Sequence, residues 1–397
     1  MPAVASTAEA GFDPQEIVAR IRAALPAGEA RAALHEPRFG PRERAYVDDC
    51  IDTNWVSYAG AYVDRFEQAL AARSGVGHAV AVVSGTVALQ VALQIAGVQA
   101  GEEVLVPALT FVASANAVVH TGAVPHFVDA DAATLGISVP ALAKHLDAVG
   151  EMRGGKLFNR ATGRRISAVL PVHIFGHPVD MDPLTALAER FGLIVIEDAT
   201  ESLGSSYKDR PCGSLAQLAV LSFNGNKIVT TGGGGAILTD DAALAKRLRH
   251  LTTTAKLPHR WAFVHDEIGY NFRLPNLNAA LGVAQMERLD DMLAAKRRLW
   301  QRYRDAFSGM AGVEVFAPPA FAGSNHWLVA LMLDDAHAGR LDDVLAATND
   351  AGLMTRPVWT PMHQLSIYAD HPRADLSVTE NLARRILNVP SSPFLAP

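Results

Sequence analysis

The feature that most constrains this chain is the alternation of short apolar runs with helix-period segments between Ala79 and Thr239. Ala79–Val83, Glu103–Val106, Val124–Val128, Ala168–Val172, Leu193–Ile196, Leu218–Phe223 and Ala236–Thr239 read as buried strands. Thr86–Ala96, Phe111–His120 and Asp182–Phe191 carry helical spacing between them. Such alternation predicts an α/β fold with a mostly parallel sheet covered by helices on both faces. In these sheets ligands bind beyond the carboxyl ends of the strands. Attention therefore falls on the polar residues that end them: Ser84-Gly85-Thr86, Asp198, and Ser222 through Lys227.

Outside this region the pattern changes. Phe12–Leu25, Glu43–Ile51 and Tyr62–Leu70 have helical spacing before it. Long helices are predicted over Leu277–Leu293 and Met292–Phe307, then a strand at Trp327–Leu333 and a helix at Leu341–Ala351. A chain of 397 residues exceeds one ordinary core. The expected division is an N-terminal extension (1–34), a large domain (35–265) and a smaller α+β C-terminal domain (266–397). The polar stretch Met152–Arg165, with Gly154, Gly155 and Gly163, reads as an exposed hairpin or loop.

Several function classes are disfavoured. The formal net charge is −6 with both signs scattered, and no basic run exists to neutralise nucleic-acid phosphates. No apolar stretch reaches 18 residues, so no membrane span is expected. Residues 1–10 lack the basic-then-apolar order of a secretory signal, and the two cysteines, Cys50 and Cys212, suit reduced thiols; a cytoplasmic location is expected. His173 and His177 are four apart, yet no third ligand lies in a plausible register, so no metal is expected.

Three short motifs carry chemistry. Ser84-Gly85-Thr86 stands between a strand and a helix, where free N–H groups and the helix dipole favour an anion, although a plain N-cap is the better reading of this motif taken alone. Asp198 ends the strand LIVIED; it can face a protonated ring nitrogen or cap a turn. Lys227 follows a strand and precedes Thr230-Thr231 and four glycines, 232–235. A lysine amine in an apolar, glycine-lined site can form a Schiff base. Phosphate cradle, ring-nitrogen partner and imine-forming lysine occur in the chain order of fold-type I pyridoxal-phosphate (PLP) enzymes.

From about His35 onward the sequence resembles sugar aminotransferases of the DegT/StrS type. The resemblance lies in SGTVAL (84–89), PALTFVASANAV (107–118), VDADAATL (128–135), PVHIFGHPVDMDPL (171–184), IEDATESLGS (196–205), SFNGNKIVTTGGGGAILTDD (222–241) and GYNFRLPNLNAALGVAQMERL (269–289). It implies a fold-type I PLP-dependent transferase. Lys227 would be the Schiff-base lysine and Asp198 the partner of the ring nitrogen. Gly85, Thr86, Val87 and Ser222 would hold the cofactor phosphate, with Phe111 on the ring and Glu201 beside it. Asn271 would reach the phosphate of a neighbouring subunit, which implies a homodimer with shared sites.

The implied reaction moves an amino group from glutamate to C4 of a nucleotide-linked 4-keto-6-deoxy sugar. The segments CIDTNWVSYAGAYVDRFE (50–67), SNHWLVAL (324–331) and LNVPSSP (387–393) resemble the branch acting on UDP-linked N-acetylhexosamines on the route to nonulosonates. The form SFNGNK also resembles perosamine-type synthases, which use a GDP-sugar. Asn226, Arg273 and His326 are the candidate substrate contacts. Arg273 has an ion pair as its other reading, and His326 and Trp327 can equally pack in the small domain. A sugar dehydratase is disfavoured because position 227 is Lys rather than His. A PLP-binding regulator without turnover is the alternative from another class.

Overall fold

The computed structural model describes residues 12–396. Seven strands form the body of the main sheet: β1 (His78–Val82), β2 (Glu103–Pro107), β3 (Val124–Val128), β4 (Arg165–Val169), β5 (Ile194–Asp198), β6 (Leu218–Ser222) and β7 (Gly235–Thr239). Their order is β1-β7-β6-β5-β4-β2-β3. The run from β6 to β3 is parallel throughout. Strand β7 is antiparallel to both neighbours. Residues 223–234 form no helix, so the chain has no crossover with which to re-enter in parallel and doubles straight back. A hairpin of Gly150–Arg153 and Lys156–Asn159 is added antiparallel to β4.

Both faces of the sheet are buried, as the near-continuous Val, Ile and Ala content of the strands requires. One face packs Leu89, Val91 and Leu93 against Val80, Val104 and Val220. The other packs Phe66, Leu70 and Val283 against Ala81, Leu221 and Leu238. Helices begin where side chains cap them. Ser84 Oγ accepts the Val87 N–H, and Asp241 accepts those of Ala243 and Leu244. The Ala61–Ser74 and Met181–Phe191 helices stop at Gly75 and Gly192, with φ of 67° and 63°.

The C-terminal sheet joins β8 (Val313–Val315), β9 (Val329–Leu333), β10 (Arg356–Pro357) and β11 (Ile386–Val389) in the order β8-β9-β11-β10. Its core takes in Ile17 and Ile21 of the Pro14–Ala24 helix, with Leu299, Tyr303 and Leu331. The leading helix thus folds onto the far end of the chain. Two sequence expectations shift here. The predicted helix over 277–293 breaks: one helix is Asn276–Met286, and the next, Leu289–Phe307, starts after Arg288. The first packs on Phe66, with Gly282 close against its ring, while the second runs into the C-terminal core. The strand predicted from Trp327 begins only at Val329, because His326 turns at φ 49°.

Candidate active site

The carboxyl ends of β1, β5 and β6 and the loop after β6 converge on a cavity of about 300 Å³. Ser84, Gly85, Thr86, Phe111, Asp198, Glu201, Ser222, Asn226 and Lys227 all line it. Residues more than 140 positions apart in sequence therefore meet, because each follows a strand of the same sheet.

Asp198 lies at the end of β5 and is 1% exposed. Oδ2 accepts the hydroxyl hydrogen of Ser114 at 2.7 Å, and Oδ1 accepts the Thr200 N–H at 3.2 Å. Thr110 lies 3.1 Å from Ser114 Oγ; since Ser114 spends its hydrogen on Asp198, Thr110 is the donor of that pair. No Lys, Arg or His among the described residues pairs with Asp198. A buried carboxylate held only by neutral donors is suited to a cation brought in by a ligand.

Lys227 Nζ is 3.4 Å from Glu201 Oε1 and 3.8 Å from the centre of the Trp327 ring. Burial pushes the Glu201 carboxyl above its ordinary range, and Lys227 opposes the shift. The Trp327 indole N–H donates to the Asn226 carbonyl at 2.7 Å, tying the segment that leads into β9 to the Lys227 loop. Asn226 itself accepts a hydrogen bond from Asn224 at 3.0 Å.

At the start of the Gly85–Ile95 helix the first backbone N–H groups have no intrahelical partner. A Cβ on Gly85 would stand 2.9 Å from Ser222 Cβ, and one on Gly235 would stand 2.5 Å from the Ser84 carbonyl. Only hydrogen fits at both positions, which lets β7 and the helix start close on one another. The Phe111 ring is 51% exposed on the cavity wall, tilted 6.0 Å from Trp359. An orphaned helix N-terminus, an aromatic face, a buried carboxylate without a cation and a facing lysine are the donor set that PLP requires.

Four candidates lie elsewhere. Val87 packs its side chain into the sheet core, and its N–H is capped by Ser84 at 3.3 Å. Asn271 is exposed and bridges Thr253 through its backbone. Arg273 is buried and donates to Glu67 at 2.8 Å within its own chain, away from the cavity. His326 stacks on Trp300 at 4.5 Å, and burial holds its imidazole well below the ordinary range. The φ of 49° at His326 sends its ring into the C-terminal core and the next ring, Trp327, over Lys227.

His173 does acquire neighbours that sequence spacing did not offer. Glu197 lies 3.0 Å from His173 Nε2, and Cys212 closes the group. Nδ1 accepts the Val179 N–H at 3.1 Å, and Glu197 accepts the N–H groups of Gly213 and Leu215. Every donor and acceptor of the His–Glu pair is thus used in joining loops. Sequence reasoning missed Thr110, Ser114 and Trp359. The first two stand inside the quoted TFVASAN segment, where Ser114 sits three positions beyond Phe111. Trp359 carried no signal, since its place on the cavity wall is set by long-range packing.

Residues 37–397 match the DegT/DnrJ/EryC1/StrS aminotransferase family. A GDP-perosamine synthase of Caulobacter vibrioides is 38% identical over 363 residues, 91% of this chain and 93% of that protein. A second GDP-perosamine synthase, from Escherichia coli O157:H7, is 35% identical over 91% of this chain and 94% of its own. The crystal structure of a DegT DnrJ EryC1 StrS aminotransferase from Brucella abortus superposes with a TM-score of 0.80 at 31% identity, covering 89% of this chain and 91% of that one. This chain belongs to the DegT/DnrJ/EryC1/StrS aminotransferase family and is a pyridoxal-phosphate-dependent sugar aminotransferase.

Proposed function

We propose that the chain aminates C4 of a nucleotide-linked 4-keto-6-deoxyhexose, with glutamate as donor and GDP-4-keto-6-deoxymannose as the first candidate acceptor. The single observation that carries the reaction type is the placement of Lys227 and Glu201 in one cavity with Asp198. The acceptor is supported by three GDP-perosamine synthases at 32–38% identity, each matched over 91% of this chain. A second reading, a UDP-linked 4-keto-6-deoxy-N-acetylhexosamine, is supported by the segments at 50–67, 324–331 and 387–393.

Gly85, Thr86 and Ser222 would hold the cofactor phosphate, Phe111 would cover the ring, and Asp198 would hold the ring nitrogen's proton. PLP bound there supplies an electron sink for the charge left on carbon when a proton departs. Lys227 would fix the cofactor and move protons at the reacting carbon. Trp327 and Trp359 form an apolar wall that excludes water. Asn226 is the candidate polar contact for the sugar. Arg273 and His326, removed from the cavity, are left to structural roles.

A homodimer with shared sites is part of this reading. The segment before Asn271 carries Trp261, Phe263 and Ile268 at 72%, 80% and 87% exposure, a density of apolar surface that suits an interface. No helix among the described residues is long and apolar enough to cross a membrane.

The test is a visible absorbance scan of the PLP-loaded protein. Glutamate should bleach the cofactor band, and GDP-4-keto-6-deoxymannose should restore it. Restoration only by the UDP-linked N-acetyl sugar would install the second reading. No change with glutamate would sink the aminotransferase role of this site.

A further inference from the structure

The Lys227 amine lies between groups from two distant parts of the chain, the Glu201 carboxylate at 3.4 Å and the Trp327 ring at 3.8 Å. Among the described residues, Glu201 is the one acid that forms an ion pair with Lys227. The two side chains are 12% and 3% exposed, so water does little to favour their charges.

The carboxylate is held so that its two oxygens differ. Oε2 accepts the Phe175 N–H at 2.8 Å. Phe175 adopts φ 55° and ψ 14°, a left-handed conformation that is unfavourable for a residue with a side chain. That turn is what aims its N–H at Glu201. Asn325 fixes the backbone below by donating to the carbonyls of Glu201 and Leu203 at 2.9 and 3.0 Å. Oε1 is left facing Nζ alone. The 3.4 Å separation is long for a hydrogen bond, as such contacts often are before substrate closes a site.

We propose that Glu201 is the proton partner of Lys227: Oε1 takes the ammonium proton when Lys227 must act as a free amine, and returns it when Lys227 must act as an acid. The proposal rests on the reading of Lys227 as the cofactor lysine. In the step, an Nζ–H bond breaks and an Oε1–H bond forms. Nitrogen keeps the electron pair it needs to bond carbon or remove a proton from it. The pair passes from charged to neutral with no electron gained or lost, and low exposure narrows the free-energy gap between the two states.

Other ionisable groups do not serve. Asp198, which faces Glu201, has its oxygens engaged by Ser114 and Thr200. His35 faces Lys227 from the N-terminal side with Lys296 beyond it; burial and both lysines hold His35 neutral. It forms no hydrogen bond to Lys227. Burial first of all raises the Glu201 carboxyl above its ordinary range, so it binds a proton more readily than a free carboxyl does.

The test uses the PLP-loaded enzyme carrying Glu201→Gln, which keeps the side-chain volume and an oxygen for the Phe175 N–H. The half-reaction with glutamate should slow about 100-fold or more while the cofactor stays attached, and the acidic limb of its pH profile should vanish. Glu201→Ala should slow likewise and recover in proportion to added formate. In cofactor-free protein, labelling of Lys227 by trinitrobenzenesulfonate, read by peptide mass, should move to lower pH in Glu201→Gln, because the carboxylate no longer holds the proton on nitrogen. A Gln variant with wild-type rate and pH profile overturns the proposal. So does a slow variant that formate does not restore and whose labelling profile is unmoved, since that is a structural defect. If Lys227→Ala still holds the cofactor covalently and transfers amines, the reading of Lys227 itself fails, independently of Glu201.

Discussion

Ser114, in the first turn of the Val112–His120 helix, gives its hydroxyl hydrogen to Asp198 Oδ2 at 2.7 Å, across 84 positions of sequence. This bond and the Thr200 N–H are what fix the carboxylate at the end of β5. Ser114→Ala leaves Asp198 one donor short. Losing a hydrogen bond to a charged group is worth about 1.5 kcal/mol, or roughly tenfold in affinity. PLP titration by fluorescence quenching is expected to show that weakening with little change in fold. An affinity unchanged within twofold would remove Ser114 from the cofactor's support.

Gly85 and Gly235 allow a graded comparison. A methyl on Gly85 meets Ser222 Cβ at 2.9 Å, the shallower of the two clashes. A methyl on Gly235 meets the Ser84 backbone at 2.5 Å and the Gly85 nitrogen at 2.7 Å, within a paired strand that cannot shift. Gly85→Ala should cost about 1 kcal/mol and Gly235→Ala about 3 kcal/mol of stability. Thermal denaturation of the two variants should rank them in that order, and the reverse order would contradict the packing described.

Arg273 and Glu67 form a buried pair at 2.8 Å, and Arg249 reaches the same carboxylate at 2.5 Å. Replacing Arg273 by Met leaves Glu67 the Ala81 N–H and, as its cation, only the half-exposed Arg249. Breaking such a pair is expected to cost about 3 kcal/mol, read as a fall in the denaturant midpoint. Glu67→Gln in the same background should recover part of the loss, because it removes the stranded charge. A purely additive double variant would show that the two residues act apart.

Acid should destabilise the fold through buried imidazoles. Burial lowers the His177 imidazole to about 3. The unfolded chain protonates such a histidine near its ordinary value of about 6.5. Between those values the unfolded state binds one more proton than the folded state, so stability is full above the upper value and falls as pH drops below it. Each such histidine contributes up to about 1.4 kcal/mol per pH unit. His177→Phe keeps an aromatic ring against Phe316. It should flatten the dependence by one proton's worth in denaturant titrations at pH values on either side of about 6. An unchanged slope would mean that His177 is protonated in the fold.

The strand ends were legible in the sequence because period and punctuation place them: Ser84, Asp198, Ser222 and Lys227 each follow an apolar run, and one sheet gathers them. Side-chain direction was not. His326 and Trp327 are adjacent, and one left-handed residue decides which of them faces Lys227. Arg273 reads as a substrate contact or a dimer ion pair, and only the fold shows its partner to be Glu67, 206 positions earlier in the same chain. The break between Met286 and Leu289 was equally hidden, since both halves keep helical spacing and only their separate cores divide them. Local pattern encodes the elements, and long-range packing selects the partners.

The Trp327 indole rests over Lys227 and holds the Asn226 carbonyl, yet its own backbone leads into β9 of the C-terminal sheet. The Lys227 amine is therefore enclosed by residues from two distant stretches of the chain. A chimera that grafts the C-terminal stretch of a relative onto the rest of this chain would import a new ceiling above Lys227. Exchanging that stretch without disturbing the surroundings of the amine calls for keeping residue 327 while changing what lies around it.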